Sequence, residues 1–522
     1  MIELLPSKAA FSEGDEVTVE VRGLDRPARL SLWRLADQIA DVGVSPDQPS
    51  ASFGVLKPGG YGVEADVGAT TGLDVLRRPF ERLRYGFVSD YSDDRDTEPV
   101  ADNVRRLHLN AVQFYDWMYR HARLLPPEPA FTDPLGRRVS LKTVMRLVRA
   151  VRAVGSAPLG YAAVYAVGDE DRPDWESELL VHSDGTPWTL GDFLWIVDLS
   201  GPRWLDHFAA EVREAAARVG FAGFHLDQYG APKRARRRDG VAVDLAPAFV
   251  EVIGRVRAAL PDSLLVFNNV NDFPTEVTVR APQDATYIEP WAPHIELPHL
   301  AALARKASAA ARSRPVVLAA YLSAYREGDE GALAALRLEL ASVFAHGAGC
   351  LLFGEADAIL VDPYYVRHAH LDEQGRRVSK AYMDFVVRYG DLLFAVDAVD
   401  VTRTHAGGIN EEIRIEGPTV SADGVAGTIW TRITETTGRR IVSLVDLTAQ
   451  SEVVWDAAKR PLSPCRALTI GFERVDESRY FFASPEGAAR AQKLVASRER
   501  WHDVVEVPPF TTWALVWSQA DT

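Results

Sequence analysis

The sequence predicts a (β/α)8 TIM barrel flanked by N-terminal and C-terminal β-sandwich domains, a multidomain α/β plus all-β chain. Three observations lead there. A chain of 522 residues outgrows a single hydrophobic core. Both of its ends are built of short alternating apolar and polar runs, the mark of half-buried strands. Between them, apolar strand-like runs alternate with amphipathic helical stretches, which is how parallel βα units read.

Residues 1–80 form the first unit. VTVEV (17–21), LSLWRL (30–35) and YGVEADV (61–67) read as strands, separated by turns such as Pro58-Gly59-Gly60, and predict an immunoglobulin-like β-sandwich. Residues 81–398 change character. Eight strand candidates follow: YGFVSDY (85–91), AVQFYDW (111–117), APLGYAAVY (157–165), GFHLDQYG (223–230), SLLVFNNV (263–270), ATYIEPW (285–291), PVVLAAYL (315–322) and GCLLFGEAD (349–357). Convincing helices lie between most of them, one from about Pro202 to Arg218 with Gly220 just past its end, another over roughly Ala246–Leu260 before Pro261. Eight such units fit one barrel. Residues 399–522 return to alternation in GTIWTRIT (427–434), RIVSLVDLT (440–448), SEVVW (451–455), ESRYFF (477–482) and TWALVW (512–517), a second β-sandwich.

In such a barrel the reactive groups come from the C-terminal ends of the strands. Strand one ends in Ser89-Asp90-Tyr91, strand two in Tyr115-Asp116-Trp117, strand four in His225-Leu226-Asp227-Gln228-Tyr229 and strand five in Asn268-Asn269. Strand six ends in Glu289-Pro290-Trp291 and strand eight in Glu355-Ala356-Asp357. Acids at so many strand ends, with aromatic neighbours, suit the binding and cleavage of a sugar. Asp227 and Glu289 stand out, because strands four and six place their ends across the mouth. Retaining glycoside hydrolysis needs two carboxyl groups about 5–5.5 Å apart, one attacking the anomeric carbon and one protonating the leaving oxygen. His225 and Gln228 flank the first acid as candidate donors, and Pro290 and Trp291 are candidate walls for the second. The bland alternative is that one acid binds a hydroxyl or closes a salt bridge within the barrel.

The segments RYGFVSDY (84–91), HLNAVQFYDWMYRH (108–121), GFAGFHLDQYG (220–230), FNNVND (267–272), TYIEPW (286–291) and ILVDPYYV (359–366) together resemble glycoside hydrolase family 66, the endo-dextranases and cycloisomaltooligosaccharide glucanotransferases. The resemblance covers the barrel and, more weakly, both β-domains. It implies Asp227 as nucleophile, Glu289 as acid/base, and a retaining enzyme acting on α-1,6-linked glucose chains, an α-glucan or isomaltooligosaccharide. It also implies sugar contacts from Asp90, Tyr91, Asp116 and Trp117, with Tyr115 and Tyr119 in the same stretch. Asn268 is expected to bond a sugar hydroxyl in preference to Asn269, since neighbours in a strand face opposite ways. Trp291, Glu355, His225 and Gln228 complete the expected substrate-binding set. Cyclising members carry a carbohydrate-binding module inserted in the barrel; the span from Leu322 to Gly349 is too short for one, which favours a hydrolase on shorter chains.

Other features bound the reading. A net charge of −15 argues against nucleic acid as a partner. The two cysteines, Cys350 and Cys465, exclude a disulfide framework and a thiolate zinc site. No run approaches a membrane span, and no basic segment with an apolar run opens the chain, so a cytoplasmic protein is expected. Asp93, Asp94 and Asp96, and the pair His368 and His370, match no metal-site spacing, and neither a Gly-rich dinucleotide fingerprint nor a Walker loop occurs. No cofactor is expected. The run Lys233-Arg234-Ala235-Arg236-Arg237-Arg238 reads as a solvated loop.

Overall fold

In the computed structural model, which describes residues 2–311, 314–475 and 477–520, all eight predicted barrel strands form. They are β1 Tyr85–Val88, β2 Ala111–Phe114, β3 Ala157–Ala163, β4 Gly223–Asp227, β5 Leu264–Val270, β6 Ala285–Glu289, β7 Val316–Leu318 and β8 Gly349–Gly354. Each pairs in parallel with the next, and β8 returns to β1, so the sheet closes. The closing seam is tight. A Cβ on Gly354 would lie 2.1 Å from the Phe87 carbonyl oxygen, so only glycine lets β8 reach β1 there.

The crossover helices are α1 Glu98–Arg106, α2 Leu141–Ala153, α3 Pro202–Val219, α4 Leu245–Ala259, α5 Thr275–Thr278, α6 Leu297–Ala311, α7 Glu330–Ala345 and α8 Glu373–Arg388. Helix α3 begins at proline and ends where Gly220 takes φ +87°, its N–H closing on the Ala216 carbonyl. Between β3 and α3 the chain makes a detour that contains a three-stranded sheet (Ala166–Gly168, Leu194–Ile196, Thr189–Leu190), unmarked in the sequence reading. Among the described residues, no helix is long and apolar enough to cross a membrane.

The N-terminal strands form a three-stranded and a five-stranded sheet that share one core of Val17, Val19, Leu30, Val63 and Leu73. The C-terminal strands form a seven-stranded and a four-stranded sheet around Ile433, Val442, Ile470, Phe482 and Val505. One expected strand is absent. Residues 451–455 make a single bridge, Val454 to Glu296, and otherwise form a loop reaching over to the barrel. There Trp455 donates its indole N–H to the His294 carbonyl, and Asp456 accepts from the Ser323 hydroxyl and the Ala324 N–H. The apolar pattern of 451–455 serves this docking and not a sheet.

The N-terminal module is fastened to α8 by a buried carboxylate. Asp384 accepts from Gly72 N–H (3.0 Å), His108 Nε2 (2.8 Å), Lys380 Nζ (2.7 Å) and Arg388 Nη2 (3.3 Å). Burial opposes its charge, but Lys380, His108 and Arg388 outweigh that and hold its carboxyl far below the usual range. Its contribution is therefore present at neutral pH and lost only in strong acid. Asp384→Ala leaves Lys380 and Arg388 unmatched and is expected to cost about 3–5 kcal/mol, read as a lower denaturant midpoint at pH 7. A change below about 1 kcal/mol, the scale of an exposed pair, would show that the cluster does not hold the modules together.

Candidate active site

The mouth of the barrel gathers acids and aromatic rings on the strand ends. Asp227 closes β4 and Glu289 closes β6, and Asn268 of β5 stands between them. The Asn268 side-chain amide donates to both acids, at 2.8 Å to Asp227 Oδ1 and 2.7 Å to Glu289 Oε2. These two oxygens therefore lie no farther apart than the sum of the two bonds, 5.5 Å. Asn268 is 2% exposed, and its Oδ1 has no partner among the described residues. Asn269, as alternation requires, points away and bonds the Tyr287 carbonyl and Thr278.

Further donors separate the two acids. Tyr161 O–H donates to Asp227 Oδ2 (2.8 Å), and Trp291 Nε1–H donates to Glu289 Oε1 (3.0 Å). Burial raises both carboxyls. Asp227 is pushed up to about 6 against the bonds from Tyr161, Asn268 and the Gln228 backbone. Glu289 is pushed higher, to about 7, because the charge of Asp227 adds to burial. The two titrate as one coupled pair, with the charge of Asp227 raising Glu289 further and so favouring Glu289 as the acid. A third acid, Asp116, sits at φ +49° just past β2 and is pushed up to about 7 by burial, with Arg137 Nη2 3.7 Å away opposing.

The floor beneath the acids is aromatic. Tyr85, Tyr161, His225 and Tyr287 pack ring on ring, and His225 Nδ1 meets the Tyr85 hydroxyl at 3.1 Å. Burial pushes His225 down to about 3, so it stays neutral. Tyr115 stacks on Tyr365 with ring centres 4.2 Å apart, and both flank the acids. On the Asp227 side the mouth continues into a pocket walled by Tyr115, Asp116, Tyr161, Tyr229, Phe193 and Tyr364. Trp291, 39% exposed, presents its ring on the Glu289 side.

Of the expected residues, the structure thus brings together Asp227, Glu289, Asn268, Trp291, Asp116 and Tyr115, with His225 beneath them. It places the others elsewhere. Tyr91 is buried with its hydroxyl on the Val88 and Tyr115 carbonyls. Trp117 is fully buried, its N–H on the Tyr161 carbonyl, because the positive φ at Asp116 turns the chain under the mouth. Tyr119 packs edge-on to Phe131 beneath Arg120 and Arg123. The Gln228 side chain bonds the Phe273 carbonyl and the Gly230 N–H, and only its backbone supports Asp227. Asp90 faces solvent. Glu355 is occupied by Arg95 and by the N–H groups of Ser89 and Asp90, fixing the end of β1. Sequence reasoning missed Tyr161, Tyr229, Tyr321 and Tyr365; the tyrosine in LGYAAVY is in register with His225, which is the signal that would have found the first.

Among the described residues no three His, Cys, Asp or Glu side chains are grouped to hold a metal. His368 turns Nδ1 to the Tyr365 carbonyl, and Asp93 pairs with Arg138. The basic run folds into a hairpin, with Arg234, Arg237 and Arg238 paired to Asp244, Asp198 and Glu176.

A closed βα barrel whose mouth holds two unequal, amide-linked carboxyls among aromatic rings defines an enzyme of the glycoside hydrolase type. The chain belongs to glycosyl hydrolase family 66, whose profile matches residues 8–517. A cycloisomaltooligosaccharide glucanotransferase of Niallia circulans is 25% identical over 364 residues, which is 60% of this chain but 37% of that protein. A second from the same organism is 25% identical over 296 residues, with 31% of its length covered, so the chain spans about a third of the length of these relatives. The structure of a cycloisomaltooligosaccharide glucanotransferase from Paenibacillus sp., complexed with cycloisomaltoheptaose, superposes with a TM-score of 0.87 at 19% identity, over 99% of this chain and 100% of that one. An α-amylase from Geobacillus thermoleovorans shares the fold more distantly, with a TM-score of 0.56 at 10% identity over 85% of this chain and 100% of its own.

The ordering of the two acids is measurable without substrate. A difference infrared titration should show carboxyls that ionise near pH 7, from Glu289 and Asp116, and Glu289→Gln should remove the Glu289 share of that amplitude while Asp116→Asn leaves it. An amplitude near pH 7 undiminished by Glu289→Gln would mean that Glu289 is already ionised at neutral pH.

Proposed function

We propose that this enzyme cleaves α-1,6-glucosidic bonds in isomaltooligosaccharides or dextran-type chains with retention of configuration. The observation that carries the reading is the Asn268 amide shared by Asp227 and Glu289, which keeps their facing oxygens within 5.5 Å. Retaining enzymes need carboxyl groups about 5–5.5 Å apart, whereas inverting enzymes leave room for water at about 6.5–9.5 Å. Asp227, the more acidic of the pair, attacks the anomeric carbon, and the bond to the leaving oxygen breaks as that oxygen takes the proton from Glu289. The product is a β-glucosyl ester on Asp227. Glu289, now ionised, takes a proton from the incoming water or sugar hydroxyl, whose oxygen displaces Asp227. Asn268 supports both acids as carboxylates and carries a spare acceptor oxygen for a sugar hydroxyl.

Water as the second nucleophile gives hydrolysis, and a sugar gives transglycosylation. The exposed face of Trp291 beside Glu289 favours a bound acceptor ring, and the relatives named above are glucanotransferases. Substrate class and acceptor choice are read together by incubating the protein with dextran, linear and cyclic isomaltooligosaccharides.

Asp227→Ala and Glu289→Gln are each expected to lower turnover on the order of 10²–10⁴-fold or more while leaving the thermal midpoint within a few degrees of wild type. Proton NMR of the first product should show the α-anomer before mutarotation; the β-anomer first would exclude retention. Asn268→Ala removes a bond that lowers both carboxyls, so both limbs of the pH–activity profile should move to higher pH. Unmoved limbs would show that the shared amide does not set the pair.

A further inference from the structure

On the face of the barrel opposite the mouth, a cleft of about 510 Å³ opens at the N-terminal ends of β1, β7 and β8, where the chain also crosses to the C-terminal sheets. Its lining includes four arginines, Arg82, Arg305, Arg314 and Arg432, against two carboxylates, Glu81 and Asp400. That excess of positive charge is unexpected in a chain of net charge −15.

The guanidinium groups are incompletely matched. Arg305 makes no hydrogen bond or ion pair with another described residue. Arg82 spends Nη2 on Asp391 (2.5 Å), while its Nη1 is buried without a partner. Arg314 rests on three backbone carbonyls, those of Val279 (2.7 Å), Ala281 (2.8 Å) and Gln283 (2.9 Å). Arg432 alone pairs with a lining acid, Asp400 at 3.2 Å, and caps the last turn of α7 at the Ala345 carbonyl. Glu81 turns back to the Arg77 N–H. His346, on the cleft wall, is pushed down to about 3 by burial and by Arg432 and Arg305, which outweigh the opposing charge of Asp400. Capping of carbonyls accounts for Arg314 and half of Arg432, and Arg82 packs its inner nitrogen against Gly390; Arg305 is left without a role.

We propose that this cleft binds a small phosphate-bearing anion. Guanidinium groups from separate elements lining one cleft suit the oxygens of a phosphate, and a volume of this size admits a hexose phosphate. A neutral glucan would need none of these charges, and a polyanion would be repelled by a chain of net charge −15. The site lies where the barrel, the Leu393–Ala398 connection and Arg432 of the C-terminal sheet meet, so an occupant would tie the two modules together.

The test is a calorimetric titration of the full chain with inorganic phosphate and, separately, with glucose 6-phosphate, at ionic strength held constant with sodium chloride and with glucose as the neutral control. Saturable binding of at least one anion is expected, weakened at least tenfold in Arg305→Ala, whose side chain is exposed and lies far from the catalytic mouth, so activity without the anion should be unchanged. Tighter binding of glucose 6-phosphate assigns the site to an organic phosphomonoester, and equal binding assigns it to the phosphate group alone. No saturable heat for either anion up to about 10 mM, or binding undiminished in Arg305→Ala, overturns the proposal.

Discussion

One hydrogen-bonding group organises the reactive end of this molecule: the side-chain amide of Asn268, whose two N–H bonds reach the carboxyls of the strands on either side. Two acids buried side by side repel each other and resist ionisation, and left alone they would turn apart or take up two protons. A neutral double donor between them lowers the cost of charge on each and fixes their spacing. It can do so because parallel pairing sets β5 between β4 and β6 in a closed sheet, so the position of one side chain is determined by two ladders at once.

Symmetry between the acids is broken by what else each one receives. Asp227 accepts a phenolic O–H and lies near a backbone N–H, all of which favour its charge. Glu289 accepts an indole N–H and faces the charge of Asp227, which disfavours a second anion. The result is an unequal pair in which Glu289 is raised further, and that asymmetry is what acid and nucleophile roles require. The buried tyrosines beneath supply rigid packing without adding charge.

The flanking β-modules are part of this arrangement. The 451–459 loop of the C-terminal module bonds the connection after β6, which carries Trp291, and the turn after β7. At the other end, Asp384 and the buried Arg84–Asp74 pair join the N-terminal sheets to the barrel base. The rim that holds the indole over Glu289 is therefore braced from outside the barrel.

Much was legible in the linear chain. Apolar runs of strand length, proline and glycine at helix ends, and acids at strand termini are local patterns, and they located eight strands, the barrel and the positions of Asp227, Asn268 and Glu289. The resemblance in FYDWMYRH and TYIEPW placed the chain in its family. Local patterns do not say which partner a polar atom finds. Tyr161 entered the site and Gln228 left it because strand register and the turn after β4 decide direction. Trp117 went under the mouth because Asp116 adopts a left-handed backbone, Glu355 was taken by Arg95, and residues 451–455 became a brace because a neighbouring module offered a surface. The sequence by itself determined which residues alternate and where each strand stops, since those follow from backbone geometry over a few residues. Closure of the sheet and docking of the modules decided which side chains share a hydrogen bond, since that depends on distances between residues far apart in the chain.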